Sequence, residues 1–191
     1  MDTRLLLISH AATAAMRAGR FPADDPLDAR GLAEADAARA RLSIPEDAAA
    51  FVSSSVCARE TASALGLSAV VHKGLADMDY GRWHGRRLTD LAAEAPQDLA
   101  AWTHDPDAAA HGGESFSRLV KRIGRWLDAL NEAPRDTENV VAVTHAAVIR
   151  AAIVHALGAS PQVFSRIEIA PLSMVELRRT RRGWTWWPAP Q

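Results

Sequence analysis

Two stretches of the same design stand out in the pattern of apolar and polar positions. RLLLIS (residues 4–9) and NVVAVT (residues 139–144) each hold four consecutive apolar residues closed by a hydroxyl residue. A histidine follows each run, His10 and His145, and two alanines follow each histidine. Neither run alternates, so each reads as a strand covered on both faces.

Between and beyond them the pattern changes period. Residues 14–30 hold Gly19, Pro22 and Pro26 among charges and read as a surface loop. Residues 31–42 form an Ala-rich helix that stops before Pro45, residues 50–53 a short strand, 58–65 a helix ending at Gly66, and 70–72 a third strand. Residues 74–113 break the rhythm with five glycines, two prolines, two tryptophans and three histidines, and only 89–95 reads as helical. That segment is a cap excursion over one end of the sheet. Phe116, Leu119, Val120, Ile123, Trp126, Leu127 and Leu130 then follow helical spacing. A helix over 146–157 closes at Gly158, and two or three strands with a turn at 180–183 finish the chain.

Strands alternating with helices predict one three-layer α/β/α domain over residues 1–191, with a mostly parallel central sheet and helices on both faces. Ligands of such sheets bind beyond the carboxyl ends of the strands, where His10 and His145 stand. The free amides of a following helix favour an anion there, and Ala11, Ala12, Ala146 and Ala147 leave it room. Each histidine alone reads equally as a satisfied strand terminus; two in matching contexts point to one site. Arg59, beyond the second strand, suits a phosphate clamp at a helix N-terminus, against the alternative of a solvated surface arginine.

Composition narrows the chemistry. A formal net charge of −1 gives no pull toward nucleic acid or anionic membrane. Cys57 is the only cysteine, which leaves no intrachain disulfide and no all-cysteine zinc site. His104, Asp105, Asp107 and His111 fit no metal-ligand spacing and read as a solvated loop. No apolar stretch reaches membrane-spanning length and the N-terminal run is too short for a signal peptide, so a cytoplasmic location is expected. Arg178, Arg179, Arg181 and Arg182 beside Trp184, Trp186 and Trp187 read as a solvated hairpin with a packed aromatic face. Trp187 with residues 188–191 is the segment offered for a homodimer contact.

Taken in order, these residues resemble the histidine phosphatase superfamily, the phosphoglycerate-mutase-like fold. Its opening strand-Arg-His-Gly, acidic or amide residue and Thr is similar to Ser9-His10-Ala11-Ala12-Thr13. Its Asn-x-x-Gly-Arg resembles Met16 to Arg20, and its Pro-Leu with a later glycine resembles Pro26-Leu27 and Gly31. Its Ser-x-x-x-Arg-x-x-x-Thr-Ala element is matched to Ser55, Arg59 and Thr61-Ala62. Asp77 with Gly81, Trp83 and Gly85 resembles its acidic residue and Gly-x-Trp-x-Gly turn. Gly112 to Ser115 resembles its Gly-Gly-Glu-Ser, and Thr144 to Arg150 its closing strand-His motif.

The resemblance implies a metal-independent phosphomonoesterase acting on a small phosphorylated metabolite, with no metal or organic cofactor expected because His10 does the covalent work. His10 attacks phosphorus, Arg59 and His145 hold the non-bridging oxygens, and Asp77 is the acid and base, with Asp79 its rival. The family's first arginine is here Ser9, a loss of about 1.5–3 kcal/mol of charge-assisted contact and on the order of 10²–10³-fold in rate. Ser9, Thr13, Arg17, Arg20 and the Ala146 backbone are the further phosphate contacts expected, with Arg17 or Arg20 supplying the missing charge. His84 stands where the family often has an acid, for leaving-group contact or as part of the mouth wall. The alternatives are a mutase, against which the short 85–112 excursion speaks, and a non-catalytic phosphate-ligand binding protein. The partner implied is a small phosphorylated substrate or inorganic phosphate.

Overall fold

A computed structural model describes residues 3–132 and 137–188. Six strands, β1 (Arg4–Ser9), β2 (Ala49–Val52), β3 (Val70–Val71), β4 (Asn139–Thr144), β5 (Met174–Thr180) and β6 (Gly183–Trp187), form one sheet in the order β3-β2-β4-β1-β5-β6. The first four pair in parallel, while β5 runs antiparallel to β1 and β6 to β5.

The unbroken apolar runs have the expected cause. Leu5 and Leu7 of β1, with Val140 and Ala142 of β4, pack under α6 (Phe116–Glu132) and α7 (Ala146–Ala156). Leu6, Ile8, Val141 and Val143 face the other way, onto α2 (Ala29–Arg39) and α3 (Val56–Ala64). All eight are at most 1% exposed, which for the leucines, isoleucine and valines contributes about 1.5–3 kcal/mol each relative to exposure. The three-layer α/β/α arrangement follows from this two-sided burial.

Three elements differ from the sequence reading. Residues 14–17 form a short helix, α1 (Ala14–Arg17), because Thr13 caps it by accepting from the Met16 amide. The excursion holds two helices, α4 (Leu88–Glu94) and α5 (Pro96–His104). Pro96 reads as a breaker but stands at the start of α5, where a missing N–H costs nothing. The third difference is His111, which is buried against Trp83 rather than solvated, apart from the exposed His104.

The excursion is fixed by close backbone approaches. A Cβ on Gly113 would fall 2.0 Å from the Asp79 carbonyl, and one on Gly81 2.2 Å from that of His111. Phe21, Trp83 and Trp102 pack beside this seam. It thereby holds residues 77–79 over the ends of β1 and β4. The hairpin β5–β6 turns at 181–182, Trp184 is buried, and Arg178 lies 4.0 Å over the Trp187 ring. Residues 189–191, offered above as a subunit contact, lie outside the described residues. No helix among the described residues is long and apolar enough to cross a membrane.

Candidate active site

Register brings the two histidines together. Ser9 pairs with Thr144, the His10 amide donates to the Thr144 carbonyl at 2.9 Å, and the two imidazole centroids lie 5.0 Å apart. The loop after β1 is held by Thr61 of α3, whose hydroxyl accepts from the Ala11 amide at 3.0 Å. It is pressed against Gly31, where a Cβ would stand 2.6 Å from the Ala12 carbonyl. Nδ1 of His10 donates to the Ala11 carbonyl at 2.8 Å, so Nδ1 carries the proton and Nε2 keeps its lone pair. Burial, with the neighbouring His145, pushes His10 well below the usual histidine range.

His145 caps the backbone start of α7 and is buried, which lowers its pKa to about 4. Its Nε2 meets the hydroxyls of Ser53 at 2.9 Å and Ser55 at 3.0 Å. Its Nδ1 lies 3.3 Å from Oδ2 of Asp77 without forming a hydrogen bond. Burial raises the Asp77 carboxyl above the usual carboxylate range, only partly opposed by the Met78 amide it accepts from. Asp79 is placed differently: it is exposed, accepts from Gly81 and His84, and is held below that range, so Asp77 is the carboxyl suited to carry a proton.

Arg122 was not singled out from the sequence, yet it positions this acid. Its guanidinium forks onto Glu114 at 2.9 and 2.8 Å and donates to the carbonyls of Gly74, Ala76 and Asp77 itself. The signal lay in the helical stripe of α6, where an arginine adjoins the buried Ile123.

Two of the three arginines expected at the phosphate, Arg59 and Arg17, are elsewhere. Arg59 is exposed, its side chain makes no hydrogen bond or ion pair among the described residues, and it does not line the cavity. The side chain of α3 that faces His10 and His145 is Cys57, two residues earlier and so about 200° round the helix. Counting back four from Thr61 by the Arg-x-x-x-Thr spacing also lands on Cys57; the match through Arg59 was two residues out of register. Arg17 is engaged with Asp28 and the Ala12 carbonyl, outside the cavity wall. Ser9 is buried behind His10, its backbone paired to Ser173 and Leu172, and neither it nor Ala146 lines the cavity. Thr13 and Arg20 do line it, with Arg20 also donating to the Gly85 carbonyl at 3.0 Å.

The cavity, about 230 Å³, is therefore acidic where a phosphate site is usually basic. Asp24, Asp25, Asp77 and Asp79 line it against the single guanidinium of Arg20. His84 adds a cation at the mouth: its Nδ1 donates to the Pro22 carbonyl at 2.7 Å and its Nε2 lies 3.0 Å from Asp79, which raises its pKa.

The sequence pattern described as Histidine phosphatase superfamily (branch 1) matches residues 5–187. The chain belongs to that superfamily. Bifunctional protein Rv2228c of Mycobacterium tuberculosis is 30% identical over an alignment of 183 positions that covers 91% of this chain and 50% of that protein. The chain thus spans about half the length of that relative. The adenosylcobalamin/alpha-ribazole phosphatase of Escherichia coli is 29% identical, over 81% of this chain and 79% of its own. Among solved structures, a mycobacterial glucosyl-3-phosphoglycerate phosphatase superposes with a TM-score of 0.85 at 24% identity, covering 97% of each chain, which shows the shared fold. The chain therefore holds two pocket histidines and a carboxyl beside them, while Ser9 and Cys57 stand where the motifs it resembles carry arginines.

Proposed function

We propose that the chain hydrolyses a small phosphomonoester through a phosphohistidine on His10, slowly. The observation that carries this reading is the tautomer of His10: Nδ1–H is committed to Ala11, so the neutral Nε2 is the free nucleophile beside a carboxyl whose burial favours its protonated form. Nε2 attacks phosphorus as the phosphorus–oxygen bond to the leaving group breaks, and Asp77 gives its proton to that oxygen. In the second half, the Asp77 carboxylate takes a proton from water, which attacks phosphorus and breaks the N–P bond. His145 orients a non-bridging oxygen; Arg20 and His84 supply what positive charge the mouth has. Without guanidinium groups on the pocket floor the rate falls on the order of 10²–10³-fold for each lost donor.

The same charges bear on the substrate. Asp24, Asp25 and Asp79 disfavour an acidic leaving group, which places uncharged or amine-bearing alcohols above sugar acids and speaks against a mutase. The test is a single-turnover reaction of metal-free protein with radiolabelled phosphomonoesters. An acid-labile phosphoryl adduct in the wild type, absent in His10→Ala, supports the reading. Turnover that survives His10→Ala overturns it.

A further inference from the structure

Cys57 fills the pocket position an arginine would take, and the substitution leaves an unusual set of donors. His10, Cys57 and His145 are all buried, and one ligand atom from each lies within 4.8 Å of the other two. Two imidazoles, a thiol and the adjacent Asp77 carboxyl are the donor types of a zinc centre, whereas magnesium and calcium prefer all-oxygen shells.

From this juxtaposition we infer that the pocket binds a thiophilic divalent cation of the zinc type on His10, Cys57 and His145, with Asp77 or a water as fourth ligand. The orientation of both rings supports it. A ligating histidine usually donates its other N–H to a fixed acceptor, and here Nδ1 of His10 is tied to the Ala11 carbonyl while Nε2 of His145 sits between the Ser53 and Ser55 hydroxyls. The nitrogens left over are Nε2 of His10 and Nδ1 of His145, the latter buried and without a hydrogen bond.

The spacing is close to what such an ion needs. Tetrahedral bonds of about 2.0–2.1 Å to N and O put ligand atoms about 3.3 Å apart, and a sulfur at about 2.3 Å lies about 3.6 Å from nitrogen. The distance from His145 Nδ1 to Asp77 Oδ2 is already 3.3 Å. The ligand atoms of His10, Cys57 and His145 that lie within 4.8 Å of one another need to close by no more than about 1.5 Å, within reach of side-chain rotation in a cavity of about 230 Å³. The acidic wall that repels a phosphate dianion attracts a cation. On binding, the Cys57 thiol gives up its proton to solvent and the thiolate is neutralised by the ion.

One consequence rests on the proposed phosphohistidine route: the ion and phosphorus compete for the same lone pair on His10 Nε2, so the loaded protein does not form the adduct. The binding itself does not depend on turnover and is read separately.

The experiment is a titration of chelator-treated protein with cobalt(II) alone, followed by displacement with zinc(II). A thiolate-to-cobalt charge-transfer band in the near ultraviolet, with intense visible d–d bands of a four-coordinate ion, is the expected result, at one equivalent. Cys57→Ser removes the charge-transfer band and weakens cobalt about tenfold or more, and His145→Gln weakens it similarly, with circular dichroism unchanged in both. Should Cys57→Ser fail to fold, modification of Cys57 by a thiol reagent, blocked by prior zinc in the wild type, reads the same contact. A spectrum of hexaaquo cobalt, or a band that persists without the Cys57 thiol, overturns the site. A phosphoryl adduct in metal-free protein without cobalt binding sinks this inference alone; cobalt binding without an adduct sinks the phosphohistidine route alone.

Discussion

The carboxylate of Asp24 accepts a 2.8 Å hydrogen bond from the amide of Val56, the first residue of α3. That amide belongs to a helix N-terminus, where free N–H groups favour an anion. The cap is supplied across the cavity by a residue at φ 60°, a left-handed conformation that aspartate tolerates better than most side chains. The start of α3 thus carries a carboxylate of the protein itself.

Asp24→Asn separates the charge from the cap. Asparagine keeps an acceptor and the same backbone tolerance, so stability changes by less than about 0.5 kcal/mol. Removing one like charge from a partly solvated site favours inorganic phosphate by on the order of 1 kcal/mol, about fivefold in Kd. Calorimetric titration with phosphate measures it, and an unchanged Kd would show that the anion does not approach α3.

Cys57→Arg returns a guanidinium to the pocket-facing side of α3. Because Cys57 lines the cavity and Arg59 does not, the new fork reaches the phosphate position without displacing the helix. Turnover of p-nitrophenyl phosphate by metal-free protein should rise on the order of 10²-fold. The control is Arg59→Ala, an exposed change with activity expected within twofold. A folded Cys57→Arg protein no faster than the wild type would remove phosphoryl transfer from this face of the cavity.

The contrast between Cys57 and Arg59 shows where the sequence is readable. The runs at Leu5–Ile8 and Val140–Val143 announce buried parallel strands because burial on both faces leaves no alternation to misread. Their two histidines, one residue past each run, are brought together by strand register alone. Helix phase is less forgiving: two residues move a side chain to the opposite face, and a motif matched through the chemically expected arginine hid the cysteine in its place. Loop arginines are harder still, since only tertiary packing tells that Arg17 is engaged with Asp28 while Arg20 faces the cavity. The capping by Asp24 has no local signature at all.

The pH dependence of metal-free protein follows from two opposite shifts. His10 reacts when neutral, and burial holds it neutral below the usual histidine range. Asp77 acts as acid when protonated, and burial keeps it protonated above the usual carboxylate range. Hence kcat/KM is expected to peak on the acid side of neutrality, falling at lower pH as His10 protonates and at higher pH as Asp77 ionises. Asp77→Asn should lower hydrolysis of alkyl phosphates about 10²–10⁴-fold but that of p-nitrophenyl phosphate far less, since a good leaving group needs no proton. Equal losses on both substrates would assign Asp77 a positioning role instead.

Glu176 offers a test of the fold rather than of the site. It is 1% exposed in β5, opposite Leu6, and its carboxylate is held by Arg4 at 3.0 Å and by Arg178. Burial opposes its charge, but the two guanidinium groups outweigh that and hold its pKa below the ordinary glutamate value. A depressed folded value means the stabilisation is present above the unfolded pKa and is lost as pH falls through the folded one. Glu176→Gln keeps the shape and loses the charge. At pH 7 it should cost about 1.5–3 kcal/mol, because Arg4 and Arg178 are partly solvated and recover water when unpaired. Urea unfolding at pH 7 and again at successively lower pH should show the two proteins converging below the glutamate range. Parallel curves at every pH would mean that the buried carboxylate contributes by packing and not by its pairing with Arg4 and Arg178.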